Sequence, residues 1–167
     1  MTSPVEPADN TNHFIQLKMR DINKIIIHCS ATPEGKHFTV EDIRRWHTKP
    51  VSQGGRGWSD IGYHYVIYLD GTVHPGRPPE KIGAHCKGQN ARSIGICYIG
   101  GITADGKKTP KDTRTPEQKS ALRLLVESLK RKYPKATVHG HNEFAAKACP
   151  CFNVKKEFSQ NLTDLTT

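Results

Sequence analysis

No stretch of this chain approaches the roughly 20 consecutive apolar residues that a membrane-spanning helix requires, which excludes a span of that kind. The opening segment, Met1 to Asn12, has neither the charged start nor the apolar run of a secretory signal, so synthesis in the cytoplasm is expected. A target outside the cell would then need a separate route of release. No aromatic-basic motif of an RNA-binding module occurs, and no Cys/His finger spacing of the nucleic-acid type, so nucleic acid is not an expected partner. The five cysteines (Cys29, Cys86, Cys97, Cys149 and Cys151) are odd in number and lack the spacing of a small disulfide framework. Reduced thiols with one metal ligand among them fit better. Acid is also in short supply: 16 acidic against 25 basic side chains leave a net charge of +9, which calls for an anionic partner. Nucleic acid, an acidic membrane surface and an acidic wall polymer all meet that demand, and charge alone does not choose among them.

What is present suits one domain. The 167 residues, 35% of them hydrophobic, suffice for a single packed core. Residues 1–20 are expected to be a flexible extension, and 21–167 the folded domain. Ile22 to His28 is an isoleucine-rich run bounded by polar segments, the pattern of a buried central strand that ends in a histidine. Thr39-Val40-Glu41-Asp42 is a capping box and predicts a helix over about Thr39 to His47. Tyr63 to Leu69, then Asp70-Gly71 and Thr72-Val73-His74, predicts a hairpin, and Ser93 to Ile99 a further strand. Thr115-Pro116-Glu117-Gln118 opens a helix whose Leu122, Leu125, Val126 and Leu129 recur at spacings of three and four. Ala136 to His139 predicts a last strand, and Asn153 to about Leu162 a short amphipathic helix. Strands mixed with helices imply an α/β (α+β) domain with a central mixed sheet flanked by helices.

Two segments more than a hundred residues apart carry the candidate chemistry: the strand end Ile27-His28-Cys29-Ser30 and the loop from His139 to Pro150. Between them they can place two imidazoles and one thiolate around one ion. Zinc takes nitrogen and sulfur ligands, and three protein ligands leave a fourth position open for a reactive water. His28 and Cys149 are the natural candidates. His139 and His141 flank Gly140 with the same strand parity, so position alone leaves the second imidazole open. His64 alternates with Tyr63 and should face the other side of the sheet.

The segments Ile27-His28-Cys29-Ser30-Ala31-Thr32, Ile43-Arg44-Arg45-Trp46-His47, Gly57-Trp58-Ser59-Asp60-Ile61-Gly62-Tyr63-His64-Tyr65, Asp70-Gly71-Thr72-Val73, Ser93-Ile94-Gly95-Ile96-Cys97 and Lys147-Ala148-Cys149-Pro150 occur in that order. Together they resemble the zinc-dependent N-acetylmuramoyl-L-alanine amidases of the phage T7 lysozyme and peptidoglycan recognition protein superfamily, over about Asn23 to Phe152. The resemblance implies the fold of that superfamily and a Zn2+ ion held by His28, His141 and Cys149. It also implies Tyr63 and Lys147 as catalytic residues, and His85, in Gly83-Ala84-His85-Cys86, as a substrate-cleft residue. His47 reads as a packing or supporting residue.

Amide hydrolysis needs a nucleophilic water, a polarised carbonyl and a proton for the departing amine, and zinc can supply the first two. Lys147 would stabilise the oxyanion, and Tyr63 would orient the water or pass a proton. The expectation is a peptidoglycan hydrolase, monomeric, encoded by a phage or prophage as an endolysin, which reaches the wall after holin-type release. Two rivals stand beside it. One is a non-catalytic peptidoglycan-recognition module, and the other a purely structural zinc site closed by Cys151.

Overall fold

The computed structural model describes residues 20–161. The expected N-terminal extension, Arg20 aside, lies outside the described residues, as does Leu162 at the predicted end of the last helix. In chain order the elements are β1 (Lys24–Cys29), β2 (Thr32–Pro33), α1 (Val40–Thr48), β3 (Tyr65–Ile67) and β4 (Val73–Pro75). They continue with β5 (Ser93–Tyr98), β6 (Gly101–Ile102), α2 (Pro116–Lys132), β7 (Thr137–Gly140) and α3 (Val154–Asn161). The main sheet runs β4-β3-β5-β1-β7, parallel except for β4, while β2 and β6 form a two-stranded parallel pair beside it.

β1 has a parallel neighbour on each side, and its Ile25, Ile26 and Ile27 are wholly buried. Cover on both faces is why its sequence is a continuous apolar run rather than an alternating one. One face carries Ile25, Ile27, Ile94, Ile96 and Tyr98 against Leu122, Val126 and Leu129 of α2 and Val154 and Phe158 of α3. On the other side of the sheet a smaller cluster joins Val40 and Ile43 of α1 to Ile61, Val66 and Ile99.

Both long-range helices start where their capping boxes predict. Thr39 Oγ1 accepts the Asp42 N–H while the Asp42 carboxylate accepts the Thr39 N–H. Thr115 and Gln118 repeat the exchange at α2, with Pro116 in the first turn. Gln118 does more than cap: its amide donates to the carbonyls of Ile67 and Ile99, pinning the start of α2 to the ends of two strands. The hairpin strands are shorter than the sequence predicts. Gly62 to His64 instead runs alongside Gly76 and Arg77, with Gly76 N–H bonded to His64 O and Arg77 N–H to Tyr63 O. The tight turn between them uses Gly71 at φ 83°, where a side chain would be strained.

Candidate metal centre

Register brings the two histidines together. Ile27 of β1 lies opposite Gly140 of β7, so His28 and His141, one residue further along parallel strands, leave the same edge of the sheet. Their ring centroids are 4.6 Å apart. The chain then makes a 3-10 turn, His141–Glu143, and returns through Lys147 to Cys149. One potential ligand atom from each of His28, His141 and Cys149 lies within 4.8 Å of the others, the one such cluster among the described residues.

Each ligand candidate is held by different neighbours. His28 is 1% exposed, and its Nε2 is 2.8 Å from Nδ1 of His85, which leaves Nδ1 of His28 as the ring nitrogen free for an ion. Cys149 is placed by the Cys29 N–H, which donates to its Sγ at 3.2 Å, and by Tyr98, whose hydroxyl donates to the Pro150 carbonyl at 2.6 Å. His141 opens a turn that Glu143 secures by accepting the Gly140 N–H at 2.7 Å.

The same turn separates His139 from His141. His139 places one ring nitrogen 2.9 Å from Glu143 Oε1 and the other 2.6 Å from Thr137 Oγ1, so its ring is fully engaged away from the cluster. Cys151 also stays out. Its thiol donates to the Gly101 carbonyl at 3.3 Å and sits 4.0 Å from Cys29 Sγ. A site closed by Cys151 therefore lacks its fourth ligand.

The donor set of two nitrogens and one sulfur suits zinc, and the imidazoles are in the form that binds it. Burial pushes His28 well below the usual histidine range, with further lowering from His85, His141 and the Lys147 charge. His141 is lowered as well, by burial and then by Lys147. Both rings are neutral at pH 7, with a lone pair available. Lys147, whose side chain is exposed, lies close enough to both histidines for its charge to lower them.

Tyr63 packs against His28 with ring centroids 5.2 Å apart. Burial, followed by the thiols of Cys97, Cys149 and Cys29, raises its phenol well above the usual tyrosine range, so the O–H stays protonated. His47 accepts the Gly62 N–H on Nδ1 at 2.9 Å and packs edge-on against Trp58 and tilted against Tyr63, so it steadies the segment that presents Tyr63. His64 turns to the far side of Tyr63's backbone, where Nδ1 accepts the Gly95 N–H and Nε2 donates to Lys81 O.

His85, expected in the substrate cleft, meets His28 in the structure. It is buried behind His28, with one nitrogen on that ligand and the other 3.1 Å from Ser93 Oγ. Sequence reasoning missed this link and the Tyr98 to Pro150 bond alike. A serine opening a strand and a tyrosine closing one carry no signal until the strands are placed side by side.

The model of the N-acetylmuramoyl-L-alanine amidase family matches residues 18–152. The endolysin of Escherichia phage T7 is 41% identical over 148 residues, covering 88% of this chain and 93% of that protein. The endolysin of Klebsiella phage KP32 is 41% identical over 144 residues, covering 86% and 90%. Among solved structures, the N-acetylmuramoyl-L-alanine amidase LysC from Clostridium intestinale superposes with a TM-score of 0.68 at 29% identity, covering 88% of each chain. With a family match across most of its length and close relatives of nearly equal extent, this chain belongs to the N-acetylmuramoyl-L-alanine amidase family.

Proposed function

We propose that this amidase cleaves the bond between N-acetylmuramic acid and the L-alanine of the peptidoglycan stem, with zinc held by His28, His141 and Cys149. The observation that carries the reading is the convergence of those three donors at the strand ends, within 4.8 Å of one another, beside a protonated tyrosine and a lysine. A bound zinc ion supplies a Lewis acid for the carbonyl and lowers the pKa of water at the site to about 7.

The chain's own groups do the rest. Tyr63, kept protonated, offers its O–H as a hydrogen-bond donor to the reacting oxygens. Lys147 contributes a fixed positive charge where the tetrahedral oxyanion develops. His47 holds the Gly62-Tyr63 segment in place through its bond to the Gly62 N–H. The net charge of +9 draws the protein to an acidic wall polymer. Likeness to phage endolysins supports a role as an endolysin that meets the wall after holin-type release.

Mass spectrometry of purified peptidoglycan tests this directly. The wild type, metal-stripped protein, stripped protein restored with zinc, and Cys149→Ala are compared. Free stem peptides with intact glycan are expected from the wild type and the restored protein alone. Binding without cleavage by zinc-loaded wild type would leave a recognition module instead.

A further inference from the structure

The ring of His85 is held between His28, Ser93 and Gly95. Its loop is pinned because the side-chain carbonyl of Asn90 accepts the N–H of both His85 and Cys86, each at 2.9 Å. Its Nδ1 meets His28 Nε2 at 2.8 Å and its Nε2 meets Ser93 Oγ at 3.1 Å. Ser93 is fully buried at the first position of β5, so no water competes for that contact.

Room for the ring exists because residue 95 has no side chain. A Cβ built on Gly95 would fall 2.6 Å from His85 Cδ2 and Cγ, far inside van der Waals contact. Gly95 is itself fixed, since its N–H donates to His64 Nδ1 at 3.0 Å. The slot is therefore shaped from β5, from the Asn90 turn and from the His64 side at once.

We infer that His85 is a positioning residue for His28, with Ser93 and Gly95 as its support. The inference rests on the reading of His28 as a zinc ligand. A metal-binding imidazole needs its second nitrogen engaged, which fixes both the tautomer and the plane of the ring. With an ion on Nδ1, the His28 proton sits on Nε2 and donates to His85 Nδ1. The His85 proton then sits on Nε2 and donates to Ser93 Oγ, so every nitrogen in the chain of contacts has one role.

The test compares wild type, His85→Leu, His85→Gln and Ser93→Ala. Zinc affinity is read by competition with a chromophoric chelator, the ligand field by the visible spectrum of the Co2+-substituted proteins, and kcat and KM separately. His85→Leu should weaken zinc about 10- to 100-fold and alter the cobalt spectrum. His85→Gln, which keeps an acceptor, should recover most of the affinity, and Ser93→Ala should lose a smaller part of it. Should His85→Leu fail to fold, as judged by circular dichroism, Ser93→Ala decides the matter by the same readouts. Wild-type affinity and spectrum in the folded variants, with KM alone raised, would overturn the inference and return His85 to the substrate. Failure of the wild type itself to bind zinc would instead overturn the reading of the metal centre, a distinct result.

Discussion

His28 and Cys149 belong to one cluster yet are held by opposite means. His28 stands on a strand with parallel neighbours on both sides, and its imidazole is backed by His85 and Ser93 in a dry interior. Cys149 stands on an irregular return between β7 and α3, anchored by one backbone N–H, one tyrosine hydroxyl and the packing of Phe152 under Arg114. A strand wall resists displacement through many shared hydrogen bonds, whereas a loop wall depends on a few separable ones. The site thus pairs a half held by the sheet with a half held by a few loop contacts, and single substitutions should tell the halves apart.

The largest effect should come from Cys149→Ala, which removes the proposed thiolate ligand from the loop wall and leaves the sheet untouched. Stem-peptide release should fall below detection, while far-ultraviolet circular dichroism stays that of the wild type; retained cleavage would contradict the ligand assignment. Lys147→Ala should lower kcat by about 10²- to 10³-fold with zinc affinity unchanged, the result expected of a charge that acts on the developing oxyanion and not on the ion's retention. Parallel loss of zinc would show that the loop wall cannot spare even its exposed side chains.

Tyr98→Phe probes the anchor between the halves, because Tyr98 belongs to β5 and its hydroxyl reaches the buried Pro150 carbonyl. The unsatisfied carbonyl should cost about 1–3 kcal/mol in urea unfolding. Zinc affinity should drop as well, and loss of stability without loss of affinity would show that Cys149 keeps its place without this anchor.

The smallest effect is expected from acid. Burial alone would raise the pKa of Asp112, but three hydrogen bonds from Arg114 and its charge hold it below the usual carboxylate range. A carboxylate depressed on folding stabilises the protein above its unfolded pKa of about 4, and that contribution is lost as pH falls through the folded value. Wild-type stability should therefore decline below about pH 4 more steeply than that of Asp112→Asn. Equal slopes would mean that the clamp behind the loop wall is not ionic in origin.

Legibility in the sequence divided along the same line. The isoleucine run, the two capping boxes and the Asp-Gly hairpin signal each depend on neighbours within a few residues, and all four elements formed close to the predicted places. His28 was readable because it ends such a run. The separation of His141 from His139 was not readable from spacing, because it turns on Glu143 and Thr137 capturing the His139 ring. His85 was not legible as a neighbour of His28 for the same reason. Its neighbours, Ser93 and Gly95, reach it through a sheet register that no local pattern encodes.

The parallel order of β5, β1 and β7 has a consequence for timing. β1 emerges first from the ribosome but cannot be paired on its β7 side until residues 137–140 follow, and the Cys29 N–H waits 120 residues for the Cys149 sulfur. Contacts of that sequence separation form slowly and late in folding. A chain interrupted anywhere before Cys149 can build much of the sheet and yet contain no site, so a wall-cutting activity assembled this way is confined to finished molecules.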